Sequence, residues 1–133
     1  MGTKAAIKFA DDNGAQAIVY TQYDGDPQGI QRMILRAIDE GLVWDLPRYE
    51  ADEFAAGFIA ANKKYSGGLR VLSTMSDLWC DFVYVVNFNS DLGEIGVTVG
   101  HCKGHDELDR PEYVFMWDGR LSTMHTAYAE DAA

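Results

Sequence analysis

Two imidazoles and a thiol stand close together in Gly100-His101-Cys102-Lys103-Gly104-His105-Asp106. Histidine and cysteine are both zinc ligands, and Cys80 or His125 could complete a set. Spacing argues against it. If a strand runs through this segment, His101 continues the face of Ile95, Val97 and Val99, and Cys102 turns to the other face. Both could hold one ion only if the strand broke at Gly100, and no C-x-x-C pair accompanies them. A strand end followed by a polar turn accounts for the same residues. A cysteine nucleophile would need Cys80 or Cys102 beside a histidine, and adjacency in sequence does not supply that geometry.

The loop Asp24-Gly25-Asp26-Pro27-Gln28-Gly29 opens like a calcium loop, D-x-D-x-x-G. Such a loop closes with a bidentate Glu at its twelfth position, which here is Leu35, in the stripe of a helix. A helix N-terminus can also hold an anion, but Asp24 and Asp26 would repel one. Turn plus helix start is the simpler reading. The chain has no Walker sequence, no G-x-G-x-x-G and no G-x-S-x-G elbow, so the common phosphate-cradling and nucleophile motifs are missing. No catalytic residue, metal ligand or cofactor is assigned.

What is left is binding chemistry. Tyr20, Tyr23, Trp44, Tyr49, Trp79, Tyr84, Tyr113, Trp117 and Tyr128 exceed what a core of this size must hide, and Tyr and Trp are enriched at binding hot spots. We expect a protein-binding patch from Tyr23, Asp24, Asp26, Trp44, Tyr49, Trp79 and Trp117. The alternative is a small-molecule or nucleotide site, with aromatics against a base and Arg32, Arg36, Arg70 or Arg120 on phosphates. The net charge is −10. Such a field repels nucleic acid and anionic membrane surfaces and favours a partner with a basic surface. The densest acidic run, Asp106-Glu107-Leu108-Asp109, is short, and solvation explains it as well as mimicry of nucleic acid does.

The elements that must position these residues follow from local pattern. Ala5 to Phe9 alternates as a strand, Asp11-Asp12-Asn13-Gly14 is turn chemistry, and Gln16 to Gln22 returns as the second strand of a hairpin. Asp26 as N-cap and Pro27 at the first helical position start a helix. Its stripe is Ile30, Met33, Ile34, Ala37 and Ile38, and Gly41 ends it. The connector Leu42 to Tyr49 carries Trp44 and Pro47. A second helix is predicted from Asp52 to Lys64, with Phe54, Ala55, Phe58, Ile59 and Ala61 inward, Lys63 and Lys64 in the last turn, and Gly67-Gly68 beyond. Phe82 to Phe88 reads as a strand covered on both faces. Asn89-Ser90-Asp91-Leu92-Gly93 turns the chain, and Ile95 to Val99 alternates again. Tyr113 to Trp117 is a further strand. Asp118-Gly119 signals a tight hairpin returning through Leu121 to Thr126.

The expected fold is therefore α+β: an antiparallel sheet of about six strands in the order ββ-αα-ββ-ββ, with two helices on one face. One domain spans residues 1–128, and the tail 129–133 frays. Two cysteines are too few for a disulfide framework, so a reducing, cytoplasmic setting is expected. No secretory leader or membrane span is legible. A homodimer through the first helix or an edge strand stays open.

The run Tyr20-Thr21-Gln22-Tyr23-Asp24-Gly25-Asp26-Pro27-Gln28-Gly29 resembles a group of small phage and prophage proteins in which a strand ends in an aromatic-Asp-Gly-x-Pro-x-Gly turn and enters a helix. The strand Asp81-Phe82-Val83-Tyr84-Val85-Val86 and the segment Tyr113-Val114-Phe115-Met116-Trp117-Asp118-Gly119 are similar to later strands of that group. The chain departs at Asp26, where the group more often carries an aromatic. The resemblance implies an accessory phage protein in the bacterial host cell, non-enzymatic, that binds and modulates a host protein, such as a defence component. It implies no catalytic residues.

Overall fold

The computed structural model describes residues 2–45, 48–65, 67–75, 79–91, 93–108 and 111–124. Pro47, Asp109, His125, Thr126, Tyr128 and the tail 129–133 lie outside them, and so do the expectations placed on them. The order is β1 (Ala5–Ala10), β2 (Gln16–Thr21), α1 (Pro27–Asp39), α2 (Ala51–Asn62), β3 (Arg70–Leu72), β4 (Phe82–Asn89), β5 (Glu94–His105) and β6 (Pro111–Arg120). The fold is α+β with a six-stranded sheet, in the spatial order β3-β2-β1-β4-β5-β6.

Three expectations need correction. The sheet is mixed rather than antiparallel throughout, because β1 and β4 run parallel, Ile7 opposite Tyr84. β1 sits inside the sheet and needs a partner on each side. The chain reaches its second side only after α1, α2 and β3 have crossed over, so β4 enters in the same direction. The short β3, antiparallel to β2, stands where no strand was expected. The tight hairpin at Asp118-Gly119 is absent: β6 runs straight through both residues, with Asp118 opposite Thr98 and Gly119 opposite Val97. After it, residues 121–124 form a helical turn. Leu121 and Met124, three apart, both enter the core, which is helical and not strand spacing.

The β1–β2 turn is a node for the whole molecule. Asp11 Oδ1 accepts the amides of Asn13 and Ala15, each at 3.0 Å, and Gly14 takes φ 87°. Asp11 Oδ2 accepts the Ala51 amide at 2.9 Å, at the start of α2. Glu50, the residue at the N-cap of that helix, makes no side-chain cap bond, so the hairpin turn satisfies an orphan helix donor from a distance. The Ala51 amide is the main reason the Asp11 carboxyl is held below its ordinary value. The unfolded carboxyl titrates at about 3.9. Its stabilising contribution is therefore complete above that pH and is lost as pH falls through the lower folded value. Asp11→Ala is expected to melt earlier than the wild type at neutral pH, with the gap closing toward about pH 2. Parallel thermal melts across pH check it, and a gap independent of pH would refute the ionic role.

The core lies between the sheet and the two helices. Phe9 sits between Phe54 and Phe58, with ring centroids 5.8 and 5.3 Å away. Ile30, Met33, Ile34 and Ala37 of α1 are buried against the same cluster, as the stripe demanded, and Ile38 packs partly buried beside it. Leu35, placed in that stripe by the sequence reading, instead faces outward and is 38% exposed. The opposite face of the sheet is only partly covered. Ala6, Tyr20 and Cys80 form a small second cluster there, with Leu72, Met75 and Val83 beside it. Val83 and Val85 are half-buried, so β4 is fully enclosed on the helix side alone.

Candidate functional site

The Asp24–Gly29 loop is built by close approach. Asp24 takes a left-handed φ of 59°. The Gly25 amide donates to the Thr3 carbonyl at 2.9 Å, and the Gly25 carbonyl accepts the buried Tyr84 hydroxyl at 2.6 Å. A Cβ on Gly25 would meet Thr3 O at 2.7 Å, and one on Gly29 would collide with the Asp24 carbonyl oxygen. Pro27 stands in the first turn of α1, as expected, whereas Asp26 occupies the N-cap position without a side-chain cap bond. Asp24, Gly25, Pro27 and Gly29 of the aromatic-Asp-Gly-x-Pro-x-Gly pattern thus have structural duties in the turn that leads into α1.

The seven residues expected to form a protein-binding patch do not gather in one place. Tyr23 is 46% exposed in this loop, next to Asp24, whose carboxylate lies 4.0 Å from Arg32. Trp79 is 39% exposed, stacked on His105 with centroids 6.1 Å apart and with Lys4 Nζ 5.5 Å from its ring. Gly2 packs on Tyr23, and Lys4 is bound to Asp81. Tyr23 and Trp79 therefore share the end of the sheet where β1 begins. Trp44 is half-buried under the Arg48 guanidinium, 3.5 Å from the ring centroid. Tyr49 packs on Phe54 and donates to the Val86 carbonyl at 3.0 Å, and burial pushes its hydroxyl well above the usual range. Trp117 packs against the core, with its indole laid over Gly119. Tyr49 and Trp117 are only partly exposed, each packed against the margin of the core.

The four arginines are also divided. Arg32 and Arg36 line a shallow groove of about 500 Å³ on the outer side of α1, with Gln28, Gln31, Leu35 and Asp39. Arg36 is already engaged: its Nη1 donates to Asn62 Oδ1 at 2.8 Å, and its guanidinium lies 4.4 Å from the Tyr65 centroid. Arg70 and Arg120 stand on β3 and β6, the two opposite edges, separated by five strand spacings, roughly 24 Å at about 4.8 Å each. No single phosphate can meet all four.

His101 packs its ring against Phe82 at 5.0 Å, and Cys102 lies opposite Tyr113 on the other face of the sheet. The two side chains diverge, as strand alternation requires. Among the described residues no group of three His, Cys, Asp or Glu side chains is placed to hold a metal ion. Neither cysteine is part of a disulfide. Burial pushes the Cys80 thiol up to about 12 and the Tyr113 hydroxyl, which accepts the Cys80 amide at 3.2 Å, up to about 12. Cys80 is shifted away from the thiolate that a nucleophile needs.

The surface that sequence reasoning missed is the β5–β6 hairpin. Phe115 is 68% exposed, Val114 40%, and Leu108, in the connection between the strands, 72%. Register with β5 puts Phe115 opposite Gly100 and Val114 opposite His101, so the two project from opposite faces of β6. A signal existed: Tyr113-Val114-Phe115-Met116-Trp117 has no polar residue on either alternation, so a strand there with only one face buried must leave apolar side chains in water. Carboxylates surround them. The described residues of this hairpin carry Glu94, Asp106, Glu107, Glu112 and Asp118 against Lys103 and Arg120, and Lys103 is paired with Glu112 at 3.4 Å.

The fold and this surface define a small α+β domain with an acidic, partly apolar hairpin at one edge of a mixed sheet. Comparison with protein-family models, with curated proteins and with solved structures found no match to this chain. No helix among the described residues is long and apolar enough to cross a membrane.

Proposed function

We propose that this domain acts by binding a protein partner with a basic surface, as a non-enzymatic accessory protein that modulates a host protein. The observation that carries the reading is the exposure of Phe115, Val114 and Leu108 on a hairpin dominated by carboxylates. Apolar side chains held in water amid like charge are the composition of an interface, where an apolar centre supplies affinity and a charged rim supplies steering. The whole-chain charge of −10 extends that steering over the full surface. The phage setting rests on the resemblance of the Tyr20–Gly29 run and of the later segments 81–86 and 113–119.

The test is capture from host lysate on immobilised protein at two salt concentrations. A stoichiometric partner retained at low salt and weakened near 0.5 M salt is expected, because exposed charge pairs are screened beyond a few ångströms there. The Phe115→Ser variant should lose it. Repeated failure to retain any protein at low salt would count against the reading.

A further inference from the structure

The mixed sheet has two edges of very different character. β3 is three residues long and carries Arg70, a short and charged edge of the sort that discourages pairing. β6 is ten residues long, and among the described residues no strand pairs with its outer side. It carries a blunting device, a register shift that passes over Met116 between Phe115 and Trp117. Its proline and charges, Pro111, Glu112, Asp118 and Arg120, stand at the two ends of the strand and leave its middle bare. The run Tyr113–Trp117 holds no charge and no proline, and every residue in it favours an extended strand or fits one. The helical turn 121–124 goes inward to bury Leu121 and Met124, and Gln31 Nε2 ties it to α1 through the Leu121 carbonyl at 2.9 Å. It does not cover the edge.

We propose that the outer edge of β6 is the docking line, and that it takes an extended basic segment of the partner as a seventh strand. This rests on the reading of a basic protein partner given above and adds where and how that partner binds. Strand addition supplies main-chain hydrogen bonds along the edge, while alternate side chains of the incoming segment reach the two faces. The edge is built for that. Phe115 waits on one face and Val114 on the other, so a docked strand meets an apolar side chain on whichever face its own apolar positions take. Its neighbours set the chemistry of the occupant. Glu112 and Asp118 lie on β6, Asp106 and Glu107 lie beyond the end of β5, and Arg120 is the one cation of the strand. A segment alternating Lys or Arg with Val or Ile lays its apolar side chains on one face and its cations on the other: Val beside Phe115 with Lys toward Glu112, or Val beside Val114 with Lys toward Asp118. A second copy of this acidic chain does not fit, because it would bring another −10 to the same line.

The probe is a ten-residue peptide alternating Lys and Val, titrated into the full chain labelled with nitrogen-15. A Lys-Pro peptide of equal length and charge serves as the control, since proline removes alternate amide donors and disfavours the strand. Saturable binding of the Lys-Val peptide is expected, with slowed hydrogen exchange of amides in residues 111–120 and at least about tenfold weaker binding of the Lys-Pro peptide. Phe115→Lys should weaken the Lys-Val peptide by about tenfold or more, and Asp12→Asn, an equal change in charge on the distant β1–β2 turn, by less than about twofold. Equal binding of the two peptides, or equal loss in the two variants, would leave a charge-driven partner in place and overturn the strand docking. So would capture of a host protein by a chain that ignores the Lys-Val peptide. Slowed exchange of residues 111–120 that rises with protein concentration alone would assign the edge to self-association and overturn the proposal as well.

Discussion

Phe9→Ala is expected to destabilise the protein by about 3–5 kcal/mol, the range for truncating a fully buried Phe. The magnitude follows from position. Phe9 is fully buried on the central strand, and its ring is the one that touches both Phe54 and Phe58 of α2. Removing it takes away apolar burial and leaves a cavity walled by a helix and a sheet, neither of which can collapse without moving the other. A domain of this size is stable by about 5–15 kcal/mol in total, so the variant should unfold at a much lower urea concentration. Equilibrium denaturation with an unchanged m-value checks it. A loss below about 1 kcal/mol would mean that α2 does not pack on β1 through these rings.

Asn62→Ala should cost about 2–4 kcal/mol, by a different mechanism. Asn62 is fully buried at the end of α2. Its Nδ2 donates to the Met33 carbonyl at 2.9 Å and the Phe58 carbonyl at 2.8 Å, while its Oδ1 accepts from Arg36 at 2.8 Å. One amide thus joins both helices and holds a guanidinium against them. Truncation takes a second donor from the Met33 carbonyl, which keeps only its bond within the helix, and frees Arg36 from its acceptor. A partner left unsatisfied costs more than a bond never made. Arg36→Ala removes the cation but leaves the Asn62 amide on both carbonyls, so it should cost less, about 1 kcal/mol. The pair of denaturation curves separates the two contributions. Equal losses would place the stabilisation in Arg36 rather than in the buried amide.

How far the sequence speaks for itself depends on the range of the interaction that decides each element. The β1–β2 hairpin and α1 are written in local chemistry: a turn of Asp, Asn and Gly, then Pro27 and a five-residue stripe. β3 is not, because Arg70–Leu72 is extended only through its pairing with β2. The parallel pairing of β1 with β4 joins segments far apart in the chain, and no local pattern encodes it. Asp118-Gly119 was misread because the dipeptide serves a tertiary purpose: Gly119 leaves room for the Trp117 indole, and the chain turns inward only at Leu121.

The binding residues follow the same rule. Counting aromatics finds candidates but not their exposure. Tyr49 and Trp117 are drawn partly under cover, by a carbonyl of β4 in one case and by packing against the core in the other. Trp79 stays at the surface. Phe115 lies outside any count of Tyr and Trp, although its place in an uninterrupted apolar run on the last strand is legible in the sequence. Which strand becomes an edge is a property of the whole sheet.

The most direct test of the account is hydrogen exchange on the protein bound to the partner recovered from host lysate, compared with the protein alone. The expected result is protection concentrated in residues 111–120, with the α1 groove around Arg32 unchanged. Protection centred on that groove or on the Tyr23 loop, with β6 exchanging as freely as before, would contradict it.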